Sequence, residues 1–486
     1  MQKFKKYFPI ALILITAFFL RLLILFKYGN LWSDEWFSIT YSQKPWYSSL
    51  TKFWIWETNP PLHMIFLKAW FYIAPVTEFW ARTSSTIISL LSIATLYILN
   101  KKLFNEKIAL VSAAILSVTP VHLFFSATVR AYALLLLFTI ISTYYFFTIF
   151  YSQEKTKKNI LLFILFTTLL LYTHLTATLV LASQFIALLI TNRTQIKQWI
   201  KQILLPVVFL LVWAIPSLTY KLTFNTVQNG WFFNIKSNYL DVVEKIASLF
   251  IGYTDWKIGI LALFVFGYGT YLLIKKQRQS NQHSTIIVIY ILFLFPICCA
   301  LFLNLLNIKF FLITLPWSIT LTAYLLHTFN KKYIGHFIIY TLLTINAFSL
   351  YKSLPLNNWQ PVDSYINQRY NSSTKQLIIY NSFTQKHEVE HYLTTQIPAY
   401  AYVPRNTDWD NYLITNNYLR YIHPDSEIKK WLNDYQIHTF QEIILLDDKD
   451  VGIDIAPILL QQNWHEQEPA FKAPLAANVY VRYFKK

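Results

Sequence analysis

Hydrophobic residues occur along most of the chain in long, nearly uninterrupted runs, unlike the short periodic patterns of soluble helices and strands. A helix needs about 20 such residues to cross a bilayer. Eleven runs before residue 350 predict an α-helical polytopic membrane protein with about 11 transmembrane helices. The predicted spans are 8–26, 83–100, 108–124, 131–150, 159–175, 177–191, 203–220, 258–274, 285–304, 311–328 and 333–350.

The pattern changes near residue 351, where the chain becomes polar. Short β-type runs then alternate with a helical segment at Ser426–Tyr435, and this alternation predicts a small α/β domain over residues 351–486. The β-type runs are Gln376–Tyr380, Ala399–Val403, Glu442–Leu446 and Asn478–Phe484. Residues 1–350 are therefore predicted to form a transmembrane domain, and residues 351–486 a second domain.

Charge supports this division. The chain of 486 residues is 55% hydrophobic and 14% charged, whereas a soluble domain has about 25% charged residues. Residues 1–350 hold 29 Lys and Arg against 9 Asp and Glu, and residues 351–486 hold 13 against 15. The whole excess of the +18 net charge thus lies in the apolar part, which indicates membrane topology and not a nucleic-acid partner.

Six basic clusters set the predicted orientation, because cytoplasmic loops are rich in Lys and Arg. Each cluster follows an even number of predicted spans, counting zero, so all six are placed in the cytoplasm together with the N-terminus. They are Lys3/Lys5/Lys6, Lys101/Lys102/Lys107, Lys155/Lys157/Lys158, Arg193/Lys197/Lys201, Lys275/Lys276/Arg278 and Lys331/Lys332. The first span is interpreted as a retained helix, since its apolar stretch is long and no small-residue cleavage site follows it.

The orientation places the first outer loop 27–82, residues 221–257 and the C-terminal domain outside the cytoplasm. Within the first loop, Leu62–Ala74 is too short to span and is predicted to lie along the outer interface as a helix.

An acidic pair stands out in the first outer loop. Only nine carboxylates occur before residue 350, and Asp34 and Glu35 are adjacent in the sequence LWSDEWF. A carboxylate in a partly apolar site can act as a general base, and neighbouring like charges raise one pKa of such a pair. The alternative is a solvated loop with interfacial tryptophans, and the residues alone leave both interpretations open.

Cationic and histidine side chains are predicted on the same outer side as this pair. Each has an alternative: Arg130 could extend to lipid headgroups, His63 could cap a helix, and His174 could be a packed core residue. The set comprises His63, Arg82, Arg130, His174 and Lys309, with Tyr132 next to Arg130. An acidic pair facing several cations matches transfer from an anionic lipid carrier, which needs a base and a stabilised leaving phosphate.

Nucleotide and metal motifs are missing from the sequence. It contains no Walker sequence, no GxGxxG, and no HExxH or CxxC spacing. We therefore predict no cofactor and no protein-built metal site, although carboxylates leave open a weakly bound divalent cation.

The motifs together resemble the GT-C membrane glycosyltransferases, with the protein O-mannosyltransferase-like branch (glycosyltransferase family 39) as the most similar group. That branch includes the transferase that adds aminoarabinose to lipid A. The resemblance covers roughly residues 1–330 and rests on the acidic pair, a Pro-Pro-Leu segment, an Arg-x-Tyr after a Pro-bearing outer loop, and a basic residue before an ITLP sequence. The family implies a bacterial inner membrane protein with a periplasmic C-terminal domain.

The resemblance also implies the activity, which is glycosyl transfer from a polyprenyl-phosphate sugar. It makes Asp34 the general base, with Glu35 as its acidic neighbour. It assigns Arg130, Tyr132, Lys309 and Arg82 to the donor phosphate, and His63 and His174 to substrate binding. The chain departs from the family at Asn59-Pro60-Pro61-Leu62-His63, where the usual sequence is His-Pro-Pro-Leu-Tyr, and at Lys309-Phe310, where it is Arg-Tyr.

Two functions of different class follow from these residues. The first is an enzyme that transfers a sugar to a hydroxyl of a glycan, lipid or protein acceptor at the outer face, in contact with membrane lipids. It requires Asp34 and Arg130 to share one cavity that opens away from the cytosol. The alternative is a transporter or flippase of an anionic lipid-linked glycan, which would need ionisable residues through the midplane of several spans. A structural scaffold is a third option and ranks last, because it does not explain why Asp34, Arg130 and Lys309 are predicted on the same side of the membrane.

Overall fold

The computed structural model describes residues 2–48, 59–223, 246–247, 267, 282–303, 307–329, 334–354, 358–381, 386, 389–401, 425–449, 454–473 and 479–486. These residues divide into two compact units. One comprises those within Met1–Lys27, Tyr41–Tyr220 and Trp231–Ser353, and the other those within Tyr28–Thr40, Lys221–Gly230 and Leu354–Lys486. The segment that carries Asp34 and Glu35 therefore groups with the C-terminal part of the chain.

Helices make up the first unit. Apart from three-residue helical turns at Trp46–Ser48, Arg193–Gln195 and Leu312–Thr314, the described helices are in chain order α1 (Gln2–Lys27), α2 (Ser33–Gln43, of which residues 33–40 group with the second unit), α3 (Leu62–Trp70), α4 (Glu78–Leu103), α5 (Glu106–Val118), α6 (Pro120–Ser126), α7 (Tyr132–Phe150), α8 (Lys157–Leu171), α9 (Ala177–Thr191), α10 (Ile196–Thr223), α11 (His283–Phe302), α12 (Ile308–Phe311), α13 (Leu315–Phe329) and α14 (Ile334–Ser353). Polar residues begin several of them: Thr77, Asn105 and Thr156 each accept a hydrogen bond from a first-turn N–H.

The membrane character predicted from the sequence is confirmed. Six helical segments of the described chain are long and apolar enough to cross a bilayer: Tyr7–Lys27, Glu78–Leu103, Tyr132–Phe150, Arg193–Thr219, His283–Phe302 and Ile308–Thr328. The predicted span 108–124 is instead a pair of helices, α5 and α6, bent by 62°. The predicted span 258–274 lies outside the described residues apart from Gly267, and the total of eleven stays a prediction.

Two further predicted spans are found as short helices: α8 ends four residues before the predicted end at 175, and α9 has the predicted bounds 177–191. Helices α8 and α9 have 15 residues each, so each rises only about 22 Å along its axis. The interfacial helix predicted at Leu62–Ala74 is found as α3, which ends at Trp70.

The core of the first unit is formed by α1, α4, α5, α7, α9, α11 and α13. Small and hydroxyl side chains let these helices approach closely, as is usual in membranes. Asn100 on α4 illustrates this: its amide exchanges hydrogen bonds with Thr320 of α13 at 3.0 and 3.2 Å.

The second unit contains a six-stranded sheet in the order β2-β1-β3-β6-β4, with β5 paired to β6. The strands are β1 (Gln376–Tyr380), β2 (Ala399–Ala401), β3 (Glu442–Asp448), β4 (His465–Glu466), β5 (Phe471–Lys472) and β6 (Val479–Lys485). Strands β1, β2 and β3 are parallel, with Ile378 opposite Ile444, whereas β6 runs antiparallel to β3.

Helices cover both faces of this sheet, as in other parallel arrangements. Ile378 and Tyr380 pack with α15 (Gln360–Arg369), and Leu377 and Ile379 pack with α16 (Asp425–Asp434) and α17 (Ala456–Gln461). The prediction of a small α/β region after the helices is thus confirmed.

Candidate active site

A break in the α5–α6 segment creates the first part of the site. Pro120 begins α6, and Thr119 before it has the extended backbone that a following proline favours. The chain leaves α6 at Ser126 and passes through residues 127–131 before α7 begins. This short loop carries Arg130, and Tyr132 opens α7.

The second part is the segment around Pro60 and Pro61. Pro61 precedes α3, whose first turn contains the buried His63. The backbone N–H of Leu62 donates to the carbonyl of Tyr172 at 3.0 Å. This bond joins the proline segment to the end of α8.

The third part is the loop that follows α8. The predicted span 159–175 ends earlier than expected, at Leu171, so His174 lies in the connection to α9. The backbone N–H of Thr176 donates to His174 Nδ1 at 3.2 Å, and its hydroxyl is 2.9 Å away. Because a backbone N–H can only donate, Nδ1 is the acceptor and the ring proton is assigned to Nε2.

These three parts surround an open cleft with about 330 Å³ of empty space, open solvent included. The cleft brings together four of the side chains singled out from the sequence, although they lie up to 111 positions apart. Its lining consists of Asn59, Pro60, His63, Met64, Arg130, Ala131, Tyr132, Thr173 and His174.

The cleft is cationic and its histidines are neutral. Burial, followed by the charge of Arg130, lowers the pKa of His63 to about 3. Burial, then Lys309, then Arg130, lowers the pKa of His174 to about 3. The positive charge of Arg130 therefore acts on both rings, and that of Lys309 acts on His174. Such an arrangement favours an anion next to uncharged donors and acceptors.

Aromatic rings extend the cleft toward Lys309. The ring of His174 lies 6.1 Å from the ring of Tyr132 and 6.2 Å from that of Phe310, centroid to centroid. Phe310 follows Lys309 in α12, so the Lys-Phe pair that replaces the family's Arg-Tyr is beside the histidine.

The Nε2 of His63 is buried and has no hydrogen-bond partner among the described residues. An unsatisfied buried nitrogen costs about 1–3 kcal/mol, and a ligand in the cleft could supply the missing partner.

Arg82 occupies a different place from the cleft residues. It is buried in the first turns of α4, and its Nη1 lies 3.8 Å from Glu78 Oε2, one turn earlier. It is not among the residues that line the cleft within the described chain.

The acidic pair lies at the start of α2, and its two members differ. Glu35 is fully buried, and its Oε2 lies 3.5 Å from the backbone N of Trp32, while its own N–H donates to the Trp32 carbonyl at 2.9 Å. This reciprocal contact is the half of a capping box that the third helical residue supplies. Asp34 is only half-buried, and its carbonyl accepts from the Ser38 hydroxyl at 2.9 Å. Glu35 thus contributes to the start of the helix, whereas the Asp34 side chain is the more exposed of the two.

Several cleft residues were not singled out by the sequence. Thr173 and Met64 line the cleft, and Thr176 sets the tautomer of His174. A Thr two positions after a His is a usable signal for such a local bond, but threonine is too common in these helices for that signal to be distinctive. No group of three or more His, Cys, Asp or Glu side chains that could hold a metal ion occurs in the described part of the chain.

Comparisons with known proteins agree with this architecture. Residues 58–220 match the family described as dolichyl-phosphate-mannose-protein mannosyltransferase. ArnT from Cupriavidus metallidurans in the apo state superposes with a TM-score of 0.57 at 12% identity, covering 99% of this chain and 98% of that one. The same enzyme bound to undecaprenyl phosphate gives a TM-score of 0.57 at 12% identity over 98% and 97%.

The chain has the GT-C fold. A second solved structure with this fold, the archaeal oligosaccharyltransferase AglB from Archaeoglobus fulgidus with an inhibitory peptide and a dolichol-phosphate, has a TM-score of 0.54 at 12% identity, covering 91% of this chain and 70% of that one. The resemblance to GT-C enzymes inferred from the sequence is thereby confirmed. A search of curated proteins finds no match to the sequence. The matched family segment contains every residue that lines the cleft described above.

Proposed function

We propose that this protein is an integral-membrane glycosyltransferase that moves a sugar from a polyprenyl phosphate to an acceptor hydroxyl at the outer face of the membrane. The observation that carries the proposal is the cationic cleft, in which Arg130 and Tyr132 meet His63 and His174 beside Lys309. A likeness to a structure that holds undecaprenyl phosphate supports a lipid-linked donor.

In the proposed reaction, the acceptor oxygen forms a bond to the anomeric carbon while the bond from that carbon to the phosphate oxygen breaks. The Asp34 carboxylate takes the hydroxyl proton. The polyprenyl phosphate leaves with one more negative charge, which Arg130 and Lys309 stabilise. Transfer of the sugar away from the phosphate releases the free energy that drives the reaction, so the reaction needs no soluble nucleotide.

The remaining residues have supporting roles in this proposal. Tyr132 and the Nε2–H of His174 donate hydrogen bonds to the phosphate or sugar. His63 contacts an uncharged sugar group through a neutral ring. Arg82 stabilises the phosphate by long-range electrostatic attraction, without direct contact. Glu35 stabilises the helix turn that carries Asp34. We expect a bacterial inner membrane, with the C-terminal domain outside the cytoplasm, and an acceptor that is a glycan, a lipid or a protein.

The test uses the full chain in proteoliposomes with a panel of undecaprenyl-phosphoryl hexoses and pentoses and an envelope extract as acceptor. Release of undecaprenyl phosphate is measured by mass spectrometry. For the active donor, we expect Asp34→Asn to lose roughly 100- to 10,000-fold in turnover at normal membrane abundance, while undecaprenyl phosphate still binds.

Two matched variants complete the test. Arg130→Gln should weaken undecaprenyl phosphate binding, whereas Gln43→Ala, at an exposed position on the same helix as Asp34, should leave turnover unchanged. Near-normal turnover of Asp34→Asn would remove the assigned base. Movement of the intact donor between leaflets, without release of undecaprenyl phosphate, would indicate a flippase instead.

A further inference from the structure

Hydroxyl side chains on α4 hold the backbone that leads to Arg130. The Ser85 hydroxyl donates to the carbonyl of Thr128 at 2.8 Å, and the Thr86 hydroxyl donates to the carbonyl of Ser126 at 2.9 Å. Both accepting carbonyls lie at the end of α6 or in residues 127–131. A carbonyl at a helix end or in a loop has no helical partner, so these bonds fix a segment that helical geometry does not.

A buried arginine, Arg21, makes further bonds to α4 and to both helices that meet at the α5–α6 break. Arg21 is fully buried in α1. Its Nε donates to the Ser89 hydroxyl at 2.7 Å, and its Nη1 donates to the carbonyl of Ser117 at 3.1 Å. Its Nη2 lies 2.8 Å from His122 Nδ1, and the carbonyl of Leu116 lies 3.0 Å from the same nitrogen. Arg21 therefore contacts α4, α5 and α6 at once.

The position of Arg21 has a physical reason at the helix break. Ser117 is in the last turn of α5, where carbonyls are unpaired and the helix dipole is negative. A cation at this end stabilises a bend that would otherwise leave the carbonyl unsatisfied in a membrane. The guanidinium also donates to the carbonyl of Ala17 at 3.0 Å, so these four contacts are all with neutral groups. A charged residue inside a span is costly and indicates a functional role.

We infer that Arg21, Ser85 and Thr86 are positioning residues that hold the α5–α6 break and thereby place Arg130 in the cleft. This inference rests on the proposed function, because it concerns the side chain assigned to the donor phosphate. Within the five residues between α6 and α7, the N–H of Arg130 donates to the carbonyl of Thr128 at 2.9 Å, and the Thr128 hydroxyl donates back to the carbonyl of Phe124 in α6 at 2.9 Å. The α4 hydroxyls add bonds to this segment from another helix, so they and the angle of α6 contribute to its placement.

The variants are chosen to separate positioning from general packing. Arg21→Gln removes the charge, Arg21→Lys retains it with fewer donors, and the pair Ser85→Ala with Thr86→Val removes both loop contacts without a large change in volume. Ser92→Ala is the matched control, because Ser92 is also buried on α4 but its hydroxyl donates to Ile88 of its own helix at 3.0 Å.

Two measurements are made on the purified full chain in detergent. Hydrogen–deuterium exchange of peptides that cover residues 119–132 reports whether the break and the loop are held. Undecaprenyl phosphate binding reports whether Arg130 is placed for the phosphate. We expect faster exchange and a roughly 2- to 30-fold higher Kd for Arg21→Gln and for the Ser85/Thr86 pair. Arg21→Lys should give a smaller effect, and Ser92→Ala should match wild type in both measurements.

Combination with Arg130→Gln gives the decisive result. If Arg21 acts through Arg130, the double variant binds undecaprenyl phosphate no more weakly than Arg130→Gln alone. Full additivity of the two losses would overturn the inference, as would unchanged exchange at residues 119–132 in the Ser85/Thr86 pair, which is the variant least prone to misfold. If exchange rises as expected but Arg130→Gln binds the lipid normally, the positioning stands and the proposed donor site fails.

Discussion

Leu62 and Tyr172 are joined by a backbone hydrogen bond with an N···O distance of 3.0 Å, although they lie 110 positions apart. The donor is the first residue of α3 and the acceptor is the first residue after α8. This bond holds the segment before α3 next to the loop of His174, and Pro60 and His174 line one cleft. The geometry of the site therefore depends on a bond between main-chain atoms, which cannot be predicted from the types of the two residues.

Replacement of Leu62 by proline should loosen the cleft. Proline suits the first position of a helix, but Pro61 has φ −81° and ψ 1°, which a following proline disfavours. The change therefore deletes the N–H that donates to Tyr172 and also disturbs Pro61. We expect a stability loss of about 1–3 kcal/mol, since the Tyr172 carbonyl loses its partner, and weaker binding of undecaprenyl phosphate. Leu62→Ala isolates the loss of the side chain, and Lys157→Pro, at the first position of the exposed start of α8, is the control for proline itself. Equal behaviour of Leu62→Pro and Leu62→Ala would contradict the prediction.

Acid should destabilise the fold through His63. Its pKa is lowered to about 3 in the fold, from 6.5, so below pH 6.5 the unfolded chain takes up a proton that the folded chain does not. Stability is then complete above pH 6.5 and is lost as the pH falls toward 3, by up to about 1.4 kcal/mol at pH 5.5. The thermal midpoint of wild type should fall relative to that of His63→Asn when the pH is lowered from 7.5 to 5.5. His465→Asn, at an exposed position, should follow wild type, and a constant difference for His63→Asn would refute the idea.

Substitution of Glu35 should lower thermal stability, whereas substitution of Asp34 should lower turnover. Glu35→Ala removes a buried side chain that caps α2, so we expect a loss of roughly 0.5–2 kcal/mol and a lower thermal midpoint in detergent. Asp34→Asn should leave the free energy of unfolding within about 0.5 kcal/mol of wild type, with little change in the thermal midpoint, while turnover is lost. An equal drop in midpoint for both variants would show that the pair acts as one structural unit.

Asp447 should be the most sensitive carboxylate of the C-terminal sheet. It is fully buried at the end of β3, where it accepts from Asn381 Nδ2 at 2.8 Å and pairs with Lys449 Nζ at 2.6 Å and Arg482 Nη1 at 3.4 Å. Asp447→Ala removes the anion that these three partners share, but Arg482 keeps Glu466 at 2.7 Å and Lys449 keeps Asp454 at 3.3 Å, so we expect a loss of about 1–3 kcal/mol.

The matched control for Asp447 is Asp454→Ala. Asp454 also contacts Lys449, at 3.3 Å, but its side chain is 63% exposed, so its loss should cost at most about 1 kcal/mol. Hydrogen–deuterium exchange of β1 and β3 in the full chain should therefore accelerate for Asp447→Ala alone. Unchanged exchange in that variant would show that the network contributes little.

Most secondary structure could be predicted because its signals are local. In a bilayer every backbone group must be paired within the segment, so a long apolar run has few options besides a helix. Likewise Gln376–Tyr380 is found as the strand β1 with the predicted bounds, and the predicted helix Ser426–Tyr435 differs from α16 by one residue at each end. The two-residue strands β4 and β5 escaped prediction, because pairing to β6 defines them and their own sequence does not.

The bent span shows where local reasoning ends. Pro120 is a visible break, yet 108–124 is predicted as one helix because its apolar content is continuous. The 62° angle between α5 and α6 depends on Arg21, Ser85 and Thr86, which lie on other helices. Likewise, the sequence pairs Asp34 with Glu35, but only the bonds to Trp32 show that Glu35 supports the helix start.

From its sequence alone, this protein could be assigned to the membrane, divided into helical and α/β parts, and connected to GT-C transferases, because these features depend on hydrophobicity, periodicity and short motifs. The tertiary structure decided that His63, Arg130, Tyr132 and His174 line one cleft while Arg82 does not. That outcome depends on long-range bonds such as the one from Leu62 to Tyr172, whose partners are backbone atoms and carry no sequence signal.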